Sequence, residues 1–187
     1  KVVVSPDIAD LRLGVSVTKP TVKAARAQAA ESMTKVIAAL KALGIADADI
    51  KTTNLSLQPV YSYPQNGGAP KLTGYNLTNT VAVTIRDLDK IGDAIDDGLA
   101  AGATTMDGVS FRVEDPAAAE EQARKEAMAQ AKAKAETLAS SAGTRITGVQ
   151  TITETSTPIV YPVHYYGEAA AGARDVSTPV QTGTNEI

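Results

Sequence analysis

The sequence predicts an α+β protein in which mainly antiparallel sheets carry helices on one face. Three segments repeat apolar residues at helical spacing, and four others alternate apolar and polar residues with the period of two that a half-buried strand requires. Ile146, Val149 and Ile152 mark a fifth strand. In chain order they read strand, helix, strand, strand, helix, strand, helix, strand, and then a long arm. This order predicts antiparallel sheet with segregated helices.

The first strand and helix have the clearest pattern. Apolar and polar residues alternate from Leu11 to Thr18, and Pro20 marks a turn. Thr21 is placed to cap a helix that Gly44 closes in the left-handed conformation. The apolar stripe of this helix consists of Val22, Ala25, Ala29, Met33, Val36, Ile37, Leu40 and Leu43.

Two extended segments follow, joined by an exposed loop at residues 64–70 that is too long for a tight turn. Because Pro59 has no backbone N–H, the first of these strands is expected at a sheet edge or at a bulge. Its shared face consists of Thr53, Leu55, Leu57, Pro59, Tyr61 and Tyr63. The corresponding face of the second strand consists of Tyr75, Leu77, Asn79, Val81, Val83 and Ile85.

The second half of the chain repeats these signals. Asp89 is expected to cap a short helix, and Asp115 with Pro116 begins a long alanine-rich helix that Gly143 closes. A strand precedes the long helix at residues 109–113, and another follows it. The apolar residues that carry these predictions are Ile91, Ile95 and Leu99 in the short helix, and Ile146, Val149 and Ile152 in the last strand.

From residue 156 onward proline, glycine and tyrosine dominate, which predicts a long arm. We expect one domain of two small, closely packed lobes, each a mainly antiparallel sheet with helices on one face. Lobe one comprises residues 1–72 and is completed by the arm, residues 154–187. Lobe two comprises residues 73–153.

Composition excludes several function classes. The net charge is only -3 and basic residues are interleaved with acids, so nucleic acid is not an expected partner. No run of 18 apolar residues exists, so no transmembrane segment is expected. With no cysteine, the chain has no thiolate for peroxide chemistry.

No catalytic, cofactor-binding or metal-ligating residues are predicted, and the protein is expected not to be an enzyme. His164 lies in a loop without a second histidine or a cysteine to share a metal. Asp89 and Asp93 lie one helical turn apart, but acidic residues near a helix start are favoured by the helix dipole and need no catalytic role.

The notable constellation is aromatic. Five of the six tyrosines fall in two proline-bearing segments: Tyr61, Tyr63, Tyr161, Tyr165 and Tyr166. Tyrosine offers large contact area with a polar tip, which suits contacts between subunits or with a partner. Packing of the arm onto its own domain explains the same pattern equally well.

A series of short stretches spans nearly the whole chain: residues 5–9 (SPDIA), 44–50 (GIADADI), 53–54 (TN) with 57–61 (LQPVY), 74–75 (GY), Asn79, and the alanine- and lysine-rich helix before Gly143. In order and spacing they resemble the bacterial SIMPL-domain family. The resemblance implies a periplasmic or exported protein of two α+β lobes, with no agreed catalytic residues to transfer. It also implies that a signal peptide and terminal strands have been removed from this chain.

Two hypotheses follow. The first is a non-enzymatic envelope protein that assembles into a homo-oligomer, with peripheral association with the envelope and an indirect link to stress protection. The alternative is a module that binds a small molecule, peptide or metal in oxidative-stress defence, which some members of the family are described as serving.

Overall fold

The computed structural model describes residues 2–64, 67–154 and 178–186. It confirms the α+β class, with an antiparallel sheet and three α-helices in these residues. In chain order the elements are β1 (Val3–Val4), β2 (Ile8–Lys19), α1 (Val22–Ala42), β3 (Ile50–Ser62), β4 (Lys71–Ile85), α2 (Ile91–Ala100), β5 (Thr105–Arg112), α3 (Ala117–Ser141) and β6 (Asn185–Glu186).

The described residues form two compact units. The larger unit contains residues 7–64, 67–112 and 178–181, and the smaller contains residues 2–6, 113–154 and 182–186. The lobe boundary expected between residues 72 and 73 falls inside β4, and the sheet of the larger unit joins residues from both sides of that boundary.

The larger unit is built on a four-stranded antiparallel sheet in the order β3-β4-β2-β5. The central pair, β2 and β4, stays in register from Ala9 opposite Ile85 to Lys19 opposite Tyr75. The edge position expected for the strand that contains Pro59 is confirmed, since β3 pairs only with β4 among the described residues. The pairing is offset just beyond Pro59, between Val60 and Tyr61.

Helices α1 and α2 cover one face of this sheet. Alternate residues of the two central strands point into the core, and Leu11, Leu13, Val81 and Val83 are fully buried there. Each such side chain contributes about 1.5–3 kcal/mol through the hydrophobic effect. From α1 the core receives Ala25, Ala29, Met33, Val36 and Leu40, which belong to the predicted stripe.

The predicted ends of α1 are also confirmed. The Thr21 hydroxyl accepts a hydrogen bond from the Ala24 N–H at 3.2 Å. At the other end Gly44 has a φ of +87°, a left-handed conformation that glycine adopts without steric cost. Its N–H donates to the Lys41 carbonyl at 2.9 Å, which satisfies one of the free carbonyls at the helix end.

The predicted cap of α2 is wrong. A 3₁₀ turn (Leu88–Lys90) precedes the helix, so Lys90 occupies the cap position and no side chain caps it. Leu99, expected on the buried face, is exposed. Gly98 is buried instead, because its missing Cβ leaves room for Leu13, whose Cδ1 lies 2.5 Å from where a Cβ would be.

In the smaller unit, β1 pairs with β6 and α3 forms a long helix. Asp115 acts near the helix start as predicted, with a carboxylate oxygen that accepts from the Ala117 N–H at 3.0 Å, and Gly143 follows the helix with a φ of +66°. The strand predicted at Ile146, Val149 and Ile152 is wrong. These side chains are exposed, and no strand in the described part of the chain pairs with them.

Candidate interaction surface

The titratable groups with shifted pKa values serve structural contacts. The Arg112 guanidinium donates to Asp10 at 2.7 Å, and this hydrogen bond, aided by the Thr84 hydroxyl at 2.9 Å, lowers the Asp10 pKa against the opposing effect of burial. This pair links β2 to β5. The Glu31 pKa is lowered by a hydrogen bond from Lys35 on the exposed side of α1.

Asp96 on α2 forms hydrogen bonds with Thr178, a residue far from it in the sequence. Its carboxylate accepts hydrogen bonds from the Thr178 hydroxyl at 2.6 Å and the Thr178 N–H at 2.9 Å, and these bonds lower the Asp96 pKa. Val180 nearby packs against the core. Local sequence signals did not reveal this role of Asp96, because the two residues are 82 positions apart.

The described residues contain no group of three or more metal-ligating side chains, and no helix among them is long and apolar enough to cross a bilayer. An open depression of about 470 Å³ lies against Ala133, Lys134, Thr137 and Leu138 of α3. These residues offer neither a nucleophile–base pair nor a paired acid.

A notable feature of the described part of the chain is the outer edge of β3, which pairs with no second strand there. Leu55 and Leu57 of β3 are 68% and 43% exposed, and two of the predicted contact tyrosines continue the strip: Tyr61 is 46% and Tyr63 is 73% exposed. Together with Pro59, these residues are called the β3 surface below. The other predicted contact residues, Tyr161, Tyr165 and Tyr166, lie outside the described residues, as does His164.

The exposure follows from where the helices lie. Leu57 is directly opposite Leu77 of β4 on the helix-covered side of the sheet, yet Leu77 is only 6% exposed. Helix α1 packs on β2 and β4, so its cover ends before β3. Beside Leu55, the Asn79 side-chain oxygen is buried and has no hydrogen-bond partner among the described residues.

Among the features that protect an edge strand from pairing, β3 has a bulge and a proline but no charge in its middle. Residues 52–64 carry no charged side chain, although natural proteins commonly place lysine or other charges on edge strands to prevent pairing with another chain. The two interruptions are an extra residue at Thr53, between Thr52 opposite Val81 and Asn54 opposite Thr80, and Pro59 itself. The charge-free run was a sequence signal for this surface that alternation alone did not reveal.

This geometry defines an α+β fold that exposes apolar side chains along an edge strand. In agreement with the resemblance noted above, the chain belongs to the SIMPL family, described as "Protein of unknown function (DUF541)", which it matches over residues 1–187.

Named relatives support this assignment. The chain is 35% identical over 187 residues to the 26 kDa periplasmic immunogenic protein of Brucella melitensis biotype 1, an alignment that covers 97% of this chain and 75% of that protein. It is 39% identical over 134 residues to the uncharacterized protein YggE of Escherichia coli K12, an alignment that covers 72% of this chain and 54% of that protein. YggE of Edwardsiella ictaluri is 33% identical to the chain over 147 residues, an alignment that covers 79% of this chain and 61% of that protein.

Proposed function

We propose that this chain is a non-enzymatic protein of the bacterial cell envelope, periplasmic or exported, that assembles into a homo-oligomer through the β3 surface. The location is supported by the similarity of the chain to the 26 kDa periplasmic immunogenic protein of Brucella melitensis. Assembly is supported by the long, charge-free edge strand and its exposed leucines.

The energetic argument favours a partner for this surface. An edge strand presents unpaired N–H and C=O groups, and a second strand that pairs with them also covers Leu55 and Leu57. Apolar area removed from water stabilises an interface by about 25 cal/mol per Å² before the costs of association. A strand that pairs at the β3 surface would satisfy its backbone hydrogen-bonding groups and bury its apolar side chains at the same time.

Strand pairing alone is too small for a stable complex, because specific interfaces typically bury about 1,200–2,000 Å² in total. We therefore include Tyr61 and Tyr63 in the contact. The proposal also includes Tyr161, Tyr165 and Tyr166 of the arm at the same interface, while the end of the arm, residues 182–186, belongs to the smaller unit. Peripheral association with the envelope and an indirect link to stress protection complete this proposal.

The alternative function is a binding module in oxidative-stress defence. One observation favours a peptide over a small molecule or metal: an extended peptide adds naturally to an uncharged edge strand, with main-chain hydrogen bonds supplying affinity. If this alternative is correct, the protein is a monomer in the absence of the peptide.

The first test compares two leucines of equal exposure. Leu57 and Leu99 are each 43% exposed, but only Leu57 belongs to the β3 surface. We expect the wild-type chain to have a solution mass that is a multiple of 19.3 kDa, Leu57→Lys to have a mass of 19.3 kDa, and Leu99→Lys to behave as wild type. Light scattering after size exclusion gives each mass.

A monomeric wild type at every concentration would exclude the assembly function. It would leave the peptide-binding alternative, for which a saturable thermal shift with an extended peptide is the expected sign. Loss of assembly in both lysine variants would show that the β3 surface is not the specific contact.

A further inference from the structure

We infer that helix α2 carries a binding site for extended peptide segments that contain serine or threonine, then proline, then valine or isoleucine, and that residues 178–180 of the chain occupy this site. The site uses no residue of the β3 surface, so the inference is independent of the proposed assembly. It rests on the hydrogen bonds of Asp96, the alternating exposure of residues 178–181, and the recurrence of the same short sequence elsewhere in the chain.

The Asp96 carboxylate binds Thr178 at two points. Its Oδ1 atom accepts a hydrogen bond from the Thr178 hydroxyl at 2.6 Å, and its Oδ2 atom accepts one from the Thr178 N–H at 2.9 Å. Hydrogen bonds to an ionised carboxylate are about twice as strong as those between neutral groups. A residue without a hydroxyl makes only the bond from the N–H, so the carboxylate selects serine or threonine at this position.

The residues that follow Thr178 alternate in exposure. Thr178 and Val180 are half-buried, whereas Pro179 and Gln181 are exposed. Because successive side chains of an extended chain point to opposite sides, this alternation indicates an extended segment that turns Thr178 and Val180 toward the domain. Val180 packs against the apolar core of the larger unit. The segment therefore contacts the domain through a hydroxyl and, two residues later, through an apolar side chain.

Pro179 prepares the segment for this contact. A proline disfavours helical backbone at the residue before it, so Thr178 is biased toward the extended conformation, and the φ of Pro179 itself is fixed near about −65°. A segment restricted in this way loses less conformational entropy when it binds. The exposed proline therefore contributes to binding without making a contact of its own.

The same short sequence occurs twice in the chain. Residues 177–180 read STPV, and residues 156–159 read STPI. The copy at 156–159 lies outside the described residues, as does Ser177. Both copies contain the hydroxyl, the proline and the β-branched aliphatic side chain in the order that the site on α2 uses. The recurrence indicates that a short sequence is recognised, rather than one particular loop of the fold.

These contacts define the ligand as an extended peptide without acidic residues beside the motif. Asp93 and Asp97 lie on the same helix as Asp96, so a negative charge on the peptide would be repelled. The chain's own segment occupies the site and must be displaced by a separate peptide. Because a tethered segment has an effective concentration on the order of millimolar, it competes strongly with a peptide in solution.

The test removes the chain's own segment from the site and supplies the same sequence as a peptide. The double variant T178A/V180S lacks the hydroxyl and the apolar side chain, and the probe is the peptide VSTPVQ with blocked ends, the sequence of residues 176–181. We expect saturable shifts of the amide NMR signals around Asp96, with an affinity at least about tenfold higher than that of the wild type. The peptide TSTPIV, the sequence of residues 155–160, should bind the same variant.

Matched controls separate recognition by Asp96 from adhesion to the helix. Adding Asp96→Asn to the double variant should weaken binding of VSTPVQ by about tenfold or more, because hydrogen bonds to a charged group are lost. Adding Asp97→Asn instead, which changes an exposed carboxylate one residue further along α2, should leave the affinity unchanged. The peptide VSAPVQ, which lacks the hydroxyl, should bind as weakly as VSTPVQ binds the Asp96→Asn variant.

A second variant keeps the test valid if the double variant does not fold. Thr178→Val removes only the hydroxyl and retains Val180, so its affinity for VSTPVQ should exceed that of the wild type. Saturable binding that depends on Asp96 supports the site. The absence of saturable binding to both variants, or binding that Asp96→Asn does not weaken, would overturn it. The proposed assembly is measured separately by solution mass, so either idea can fail while the other stands.

Discussion

The two edge strands of the four-stranded sheet, β3 and β5, differ in length and in the features that hinder pairing with another strand. Strand β5 has eight residues, with an exposed charge at the extra residue Asp107 and a left-handed Gly108 (φ +118°) beside it. Strand β3 has 13 residues, and all its residues after Lys51 are uncharged. Charges, prolines and bulges all hinder pairing at an edge strand; β5 has a bulge with a charge, whereas β3 has a bulge and Pro59 with an uncharged stretch between them. In the proposed assembly, β3 is therefore the edge that pairs.

The same contrast makes the proposed assembly finite. If both edges were open, copies could add indefinitely and form fibres, whereas one open edge permits a closed two-fold pair. The attachment of β5 to β2 therefore matters as much as the exposure of β3. Three predictions test that attachment, from the largest expected effect to the smallest.

The largest effect is expected at Gly14 of β2, where the closed edge packs most tightly. A Cβ at this position would collide with the Thr105 hydroxyl of β5 and lie 3.2 Å from the Thr80 hydroxyl. We expect Gly14→Ala to lower the free energy of unfolding by about 1–3 kcal/mol, the usual range for overpacking. Denaturant unfolding measures this.

Gly148→Ala is the matched control, because nothing lies within 4 Å of a Cβ there. If the two alanine variants were equally stable, the close packing of β5 over Gly14 would not be real.

A smaller effect is expected at Thr104, which connects the start of β5 to β2 by hydrogen bonds. The Ser16 N–H donates to its hydroxyl at 2.7 Å, while the Thr104 N–H donates to the Gly14 carbonyl at 2.8 Å. Thr104→Val keeps the shape and the backbone bond but removes the hydroxyl, so we expect a loss of about 1 kcal/mol. Thr34→Val, which removes an exposed hydroxyl bonded within α1, is the comparison. A larger loss at Thr34 than at Thr104 would contradict this account.

The smallest effect is expected at the Asp10–Arg112 pair. The pKa of Asp10 is lowered in the folded protein, so the pair stabilises the fold above the unfolded aspartate pKa of about 4, and this contribution is lost as the pH falls through the lower, folded pKa. Because both side chains are partly exposed, we expect Asp10→Asn to cost less than about 1 kcal/mol at pH 7.

The difference between Asp10→Asn and wild type should shrink as the pH approaches 3. Unfolding curves at pH 7, 5 and 3 follow it. A difference that grew on acidification would have the wrong sign for a carboxylate with a lowered pKa.

The elements that the sequence predicted well are those whose signals are local. Thr21, the apolar stripe of α1 and Gly44 all act within one helix, and alternation along β2 and β4 reports directly on a central strand with neighbours on both sides. The edge position of β3 was predictable for the same reason, since Pro59 removes a backbone donor regardless of its surroundings.

The failures come from features that depend on distant parts of the chain. Alternation assigned Leu55 and Leu57 to the correct face but could not show that α1 stops short of it. Ile146, Val149 and Ile152 are three residues apart and so do not alternate as in a half-buried strand, and no strand among the described residues pairs with them. The contact of Asp96 with Thr178 joins residues too far apart for any local signal.

The most direct test of the open edge is amide hydrogen exchange measured at low and high protein concentration. The account predicts that amides in the middle of β3, at residues 54–58, exchange more slowly as concentration rises, while exchange in β5 is unchanged. Exchange in β3 that is independent of concentration, or protection that appears in β5 instead, would contradict the claim that β3 is the edge through which this protein assembles.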